Sequence, residues 1–195
     1  MKTFVLASKN KHKAEEIRQI LGEEFEILTM DEAGVGELAI IEDGSTFEEN
    51  AAKKAETVMR VCKRPTIADD SGLCVEALEG APGVYTARYA GPYATDEDNI
   101  QKLLEALKDV PPMERGASFV CVIALAEPGA DTRLFRGECN GKIAQEKKGE
   151  SGFGYDPVFY VEQYGKTMAE LEHPIKNAIS HRGAALKKLC AYLKD

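Results

Sequence analysis

A chain of 195 residues, 44% hydrophobic and 30% charged, can bury about 70% of its extended surface in a compact fold, so neither a disulfide nor a metal is required merely to hold a core together. The 25 basic and 33 acidic side chains leave a net charge of -8, which argues against a surface that grips long nucleic acid through many phosphates, although a small anion needs only a local group of cations. No stretch is long and apolar enough to span a bilayer, and the N-terminus lacks the apolar core and cleavage site of a signal peptide, so a soluble cytoplasmic protein with no membrane partner is expected.

Residues 3–7 read as a short apolar strand, followed at once by the polar stretch 8–13 and by a helix in which Ala14, Ile17, Ile20 and Leu21 recur at helical spacing up to Gly22. A second strand is expected at 26–29. After a Gly-containing loop, Phe47, Ala51, Ala55, Val58, Met59 and Cys62 mark one face of another helix, and Thr46 with Glu49 has the spacing of a capping box at its start. Pro65 closes that helix, and residues 66–68 make a brief strand ending in Asp69, Asp70 and Ser71. The segment 80–91, with Gly80, Pro82, Gly83 and Gly91, reads as an ordered loop.

Helical spacing returns at 96–108 through Ile100, Leu103, Leu104 and Leu107 and stops at Pro111 and Pro112. Residues 117–126 are almost continuously apolar, as in a central strand covered on both faces, and a turn at 127–131 leads to an antiparallel partner at 134–139. The Gly-rich run 151–157 precedes a strand at 158–161, Thr167 and Glu170 repeat the capping-box spacing before a short helix, and a final helix carries Leu186, Leu189 and Leu193. Strands and helices interleave with no linker or repeat, which predicts one α/β domain over 1–195 around a mixed sheet.

Cys62, Cys74, Cys121, Cys139 and Cys190 are odd in number, contain no C-x-x-C pair and lie among apolar neighbours. That pattern reads as small buried side chains in a reducing compartment rather than a disulfide frame. His12, His173 and His181 lack the spacing of transition-metal ligands. Two familiar nucleotide signatures also fail. Residues 137–142 have too few residues between glycines for a P-loop and end at Ile143 where a hydroxyl is required, and Gly34, Gly36 and Ala39 match G-x-G-x-x-A without the strand and helix that give it meaning.

The polar clusters are more informative. Ser8, Lys9, Asn10, Lys11, His12 and Lys13 sit where a strand hands over to a helix, so backbone N–H groups, the positive end of the helix dipole and lysine charges suit a phosphate. The alternative is a solvated helix start capped by Ser8 or Asn10. Glu42 and Asp43 before Gly44, and Asp69 and Asp70 before Ser71, read as carboxylates at strand-to-loop junctions, where hard oxygens suit Mg²⁺ and the repulsion of adjacent acids favours a cation. Glu42 alone also reads as an ordinary surface acid. Phe153 between Gly152 and Gly154 offers a stacking face with Asp156 as an acceptor, or else a Gly-rich turn with Phe153 in the core. Lys176, Ser180, His181 and Arg182 place donors near the start of the last helix, where they suit a keto oxygen or a phosphate.

Taken in chain order, ASKNKHK at 7–13, EDGSTFEENA at 42–51, ADDSGL at 68–73, GAPGVYTARYAG at 80–91, SGFGYDPVF at 151–159 and KNAISHRGAAL at 176–186 resemble the family of non-canonical purine nucleoside triphosphate pyrophosphatases, also called inosine/xanthosine triphosphate pyrophosphatases. The resemblance covers essentially the whole chain. It departs at Ser8, Lys9 and Asn10, where many relatives carry Thr-Gly-Asn, yet the hydroxyl and the amide are kept. It implies an α/β fold with an elongated central mixed sheet flanked by helices, two lobes with a nucleotide cleft between them, a homodimer, and Mg²⁺-dependent hydrolysis of ITP, dITP and XTP to the monophosphate and pyrophosphate.

By the same resemblance Ser8 to Lys13 would bind the triphosphate together with Lys53, while Glu42 and Asp70 would hold the metal. Asp70 would orient or deprotonate water with help from Asp69. Ser71 would touch the nucleotide, Phe153, Gly154, Tyr155 and Asp156 would pack on and read the base, Lys176, His181 and Arg182 would complete base recognition, and Arg88 would contact a phosphate. A 6-keto base offers an acceptor to His181 and Arg182, whereas adenine sets a donor against them. Two rival readings are a pyrophosphatase of another modified or pyrimidine nucleotide and a non-catalytic nucleotide sensor. A pure binder has no use for the acids Glu42, Asp69 and Asp70.

Overall fold

The computed structural model describes residues 2–194. Seven strands, β1 (Lys2–Leu6), β2 (Phe25–Leu28), β3 (Thr66–Val75), β4 (Gly116–Ala126), β5 (Arg133–Ile143), β6 (Phe159–Val161) and β7 (Lys166–Thr167), form a sheet of order β2-β1-β3-β4-β5-β6-β7. The pairs β1·β2 and β1·β3 are parallel, and β5·β6 and β6·β7 antiparallel, so the sheet is mixed as expected. The helices are α1 (Lys11–Leu21), α2 (Phe47–Cys62), α3 (Asp96–Ala106), α4 (His173–Ile179) and α5 (His181–Lys194). Among the described residues no helix is long and apolar enough to cross a membrane, and no disulfide forms.

The chain divides into two compact units. The first comprises the residues up to Asp70, Cys121–Gly137 and those from Arg182 onward, and the second comprises Ser71–Val120 and Glu138–His181. Each unit has its own core. In the first, Ala14, Ile17 and Leu21 of α1 and Ala185, Leu186 and Leu189 of α5 pack with Phe4 and Leu6 of β1, Ile67 of β3, and Cys121, Ile123 and Leu125 of β4. Strand side chains alternate between faces, so these strand residues define the face that α1 and α5 cover. The opposite parity, Val5, Ala68, Val122 and Ala124, is also fully buried, and α2 packs against β1. Burial on both faces explains the unbroken apolar run of β4. In the second unit Ile100, Leu103 and Leu107 share a core with Leu73, Val75, Phe119, Phe159 and Met168.

Several expectations need correction. β3 does not stop at Ala68 but runs ten residues to Val75, so Asp69, Asp70 and Ser71 lie within the strand. Glu42 is at no strand end either; it lies in irregular chain before α2. The loop expected at 80–91 contains a 3-10 helix, Gly83–Arg88. Residues 137–142, the failed P-loop, belong to β5. At the start of α2 the Thr46 hydroxyl accepts from the Glu49 N–H at 3.1 Å, but the Glu49 carboxylate reaches one residue further back, to Ser45 N–H at 2.7 Å and Ser45 Oγ at 2.8 Å. The full reciprocal box appears at Thr167 and Glu170, and at Thr95 and Asp98, where the shorter acid hid the pattern. Removing the Thr46 cap by Thr46→Ala is expected to lower stability by about 1 kcal/mol, read from the midpoint of urea unfolding.

Candidate active site

In the first unit β1 ends and the chain turns into α1, while β3 continues past it. The Ala7 N–H bonds Ile67 O at 2.8 Å, so Asp69 and Asp70 lie just beyond the C-terminal end of a parallel strand, where open α/β sheets bind ligands. Asn10 is the residue that caps α1, its Oδ1 accepting from the Lys13 N–H at 3.1 Å, and Ser8 Oγ accepts from the Asn10 N–H at 3.1 Å. Capping and anion binding are therefore compatible readings of this loop: the cap fixes the helix start, and Lys9, Lys11 and His12 stand exposed on it.

Asp69 shares the parity of Ile67 and faces α1 and α5. Its Oδ1 accepts from Lys13 Nζ at 2.5 Å and its Oδ2 from Arg182 Nε at 2.7 Å and Cys121 Sγ at 3.2 Å. Arg182 also pairs with Glu16 of α1. All are inside: Asp69 is 1% exposed, Arg182 2% and Glu16 7%. Burial pushes the Asp69 carboxyl up, but the Arg182 and Lys13 charges outweigh it and hold the group well below the usual carboxylate range. Burial and the Asp69 charge push the Cys121 thiol well up, so it remains a donor.

Asp70 has the opposite parity and faces α2. Its Oδ1 accepts from Lys54 Nζ at 2.6 Å, and the same ammonium reaches Glu42 Oε2 at 3.0 Å. Burial raises the Asp70 carboxyl above its ordinary value; the Lys54 charge opposes this and the Glu42 charge adds to it. Glu42 is the more open acid. Burial pushes its carboxyl up, but Lys54 and Lys13 prevail and lower it. Two carboxylates converging on one cation supply the hard-oxygen pair with which Mg²⁺ is commonly held, its other positions going to water and phosphate. Among the described residues no three His, Cys, Asp or Glu side chains gather around a metal position.

In the second unit the turn before β6 is braced from several sides. Asp156 Oδ2 accepts from the Phe153 N–H at 3.0 Å and from Lys176 Nζ at 2.8 Å, and that ammonium lies 5.4 Å from the centre of the Phe153 ring. The Gly154 N–H donates to Asp96 Oδ2 at 2.7 Å, and the Tyr155 hydroxyl donates to Thr86 O at 2.8 Å. Gly152 has φ 84°, and a Cβ there would meet Asp156 Oδ2 at 2.1 Å, so the turn requires glycine. His181 stacks on Phe119 with ring centres 4.8 Å apart, and Phe119 stacks on Phe159 at 4.3 Å. Ser71 is half-buried in β3. Arg88 is exposed, its guanidinium 5.2 Å from the Tyr85 ring.

Four of the expected site residues have surroundings that the sequence did not display. Lys53 forms an exposed pair with Asp43, and its neighbour Lys54, 6% exposed, is the lysine that reaches Asp70 and Glu42. Arg182 donates to Asp69 and Glu16. Asp69 is buried and anchors Lys13 and Arg182. Tyr155, 4% exposed, is a core residue. Lys54 was detectable from sequence because it falls on the apolar stripe of Ala51, Ala55 and Val58, where a lysine needs buried anions. Glu16, beside Ile17 on the inner face of α1, gave the same signal.

The Ham1 family model matches residues 4–192. The chain is 48% identical to a dITP/XTP pyrophosphatase of Halalkalibacterium halodurans, over 99% of this chain and all of that one. It is 50% identical to one of Geobacter sulfurreducens, over all of this chain and 96% of that one. Among solved structures, a HAM1 protein from Coxiella burnetii aligns with a TM-score of 0.90 at 46% identity, over 100% of this chain and 99% of that one. The Staphylococcus aureus Ham1 protein aligns with a TM-score of 0.89 at 44% identity, over 99% and 98%.

Truncation of Arg182 leaves Asp69 and Glu16 as buried charges short of a partner, so Arg182→Ala is expected to lower stability by about 3–5 kcal/mol in urea unfolding. Because the Asp69 carboxyl is lowered on folding, its stabilising share is complete above the unfolded value and is lost as pH falls below it. The acid limb of wild-type stability should therefore begin near the ordinary aspartate range and be shallower in Asp69→Asn, as read by unfolding midpoints across a pH series.

Proposed function

The chain belongs to the Ham1 family, and from that membership and the geometry of its acids and lysines we propose that it hydrolyses deaminated purine nucleoside triphosphates, ITP, dITP and XTP, to the monophosphate and pyrophosphate. The observation that carries the chemistry is the convergence of Glu42 and Asp70 on Lys54, with Lys13 held nearby on Asp69. Lys13 and the backbone N–H groups at the start of α1 bind phosphate oxygens. Asp70 orients water toward the α-phosphorus and accepts the proton as the new P–O bond forms and the bond to the β-phosphate oxygen breaks. Lys54 stabilises the charge that develops beside it.

We assign Mg²⁺ to Glu42 and Asp70; when bound, such an ion neutralises charge on the departing pyrophosphate. Phe153 supplies a stacking face for the base. Lys176 and His181 take over the donor role toward a 6-keto oxygen, since Arg182 is committed to Asp69. Adenine would set an amino donor against these donors, a mismatch that discriminates strongly when the site is dry. We also carry forward the homodimer implied by the resemblance and the cytoplasmic setting expected from the sequence.

A rate panel of ITP, XTP, GTP, ATP and dTTP tests this reading. ITP and XTP should lead and release pyrophosphate, and a chelator should abolish turnover; preference for dTTP, or release of orthophosphate, would overturn it. Asp70→Asn should lower kcat by about 100-fold or more, with nucleotide affinity kept within about tenfold. Lys13→Ala should act mainly on binding, raising KM by about tenfold in steady-state kinetics.

A further inference from the structure

Two consecutive amides of the turn that presents Phe153 are taken by carboxylates of different origin. The Phe153 N–H bonds Asp156 Oδ2 at 3.0 Å, a contact inside the turn that sets its shape. The Gly154 N–H bonds Asp96 Oδ2 at 2.7 Å, and Asp96 lies 58 residues earlier, at the first position of α3. That helix is itself firmly seated. Ile100 and Leu103 are buried, Thr95 and Asp98 form its capping box, and Asn99 accepts from the Ala90 N–H at 2.8 Å and donates to Ala87 O at 3.2 Å. The next residue, Glu97, pairs with Lys147 just ahead of the turn, so the first turn of α3 holds this segment at two points.

We propose that Asp96 is a positioning residue for base recognition, fixing the turn to α3 through the Gly154 N–H and thereby setting the plane that Phe153 offers to a purine. The inference rests on the reading of Phe153 as the base platform. Gly149, Gly152 and Gly154 all have positive φ, and a segment so rich in glycine loses much conformational freedom when it is ordered. The Tyr155 side chain anchors the buried side of the turn through Thr86. Asp96 holds the solvent side, with a charged acceptor whose hydrogen bonds are roughly twice as strong as neutral ones. A platform ordered before the nucleotide arrives binds it without that loss.

Three variants of the full chain test the proposal. Asp96→Ala should raise the KM for ITP by about fivefold while leaving kcat within about twofold, the pattern of lost binding rather than lost chemistry. Asp96→Asn, which keeps an oxygen acceptor, should recover most of that loss. Asp98→Ala breaks the α3 capping box without touching Gly154; it should lower the melting temperature and leave KM unchanged. Amide exchange across residues 151–156, measured without nucleotide, should quicken in Asp96→Ala alone. An unchanged KM in Asp96→Ala, or an equal rise in Asp98→Ala, overturns the proposal. Failure of the wild type to hydrolyse ITP would instead count against the base reading, and the exchange comparison would still decide whether Asp96 holds the turn.

Discussion

Adjacent residues of a β-strand cannot face the same way, and in this chain that constraint falls on two neighbouring carboxylates. Asp69 is sent to the face covered by α1 and α5, and Asp70 to the face of α2. Neither can be buried as a charge without a cation, so each face must bring one. Lys13 and Arg182 arrive from α1 and α5, and Lys54 arrives from α2. The helix positions of the first unit are thereby tied to the chemistry of one strand, since withdrawing any of these helices strands a buried acid.

Such pairs are weak support for net stability, because desolvating both partners offsets most of their attraction and apolar residues of the same volume often do as well. Their persistence at this point of β3 is better explained by position. Lys13 sits at the start of α1, where backbone N–H groups and the dipole already favour an anion, and Asp69 fixes where its ammonium lies. Arg182 holds Asp69 in turn, and Glu16 and the Cys121 thiol join these contacts. The thiol contributes as a donor because its surroundings keep it protonated.

Much of this arrangement was legible in the amino-acid sequence. The apolar period located the helices, the unbroken run at 117–126 announced a strand buried on both faces, and the polar segments carried the family resemblance. What escaped was decided by pairing that a linear pattern does not display. Two aspartates look like the end of a strand until partners on both faces are known, so β3 was expected to be too short. Lys53 and Lys54 are alike in composition, and only the burial of the Ala51, Ala55 and Val58 stripe separates the exposed lysine from the buried one. Arg182 offers donors that suit a base or an acid, and the sequence alone does not display that Asp69 and Glu16 lie within their reach.

The separation of the two aspartates also divides their labour. Asp69 is flanked by two cations and a thiol donor, and its carboxyl is held well below the usual carboxylate range. A group so committed is a poor proton acceptor but a dependable anchor. Asp70 shares one ammonium with Glu42, and there burial prevails over pairing, so its carboxyl is raised. Neighbouring acids whose surroundings push them in opposite directions are the arrangement in which one can take a proton while the other stays fixed. On a strand this needs no additional framework. The pleat supplies the two environments, and the charge count on each face sets the sign of the shift. The ammonium of Lys54 is divided between Asp70 and Glu42, so burial decides the direction at Asp70.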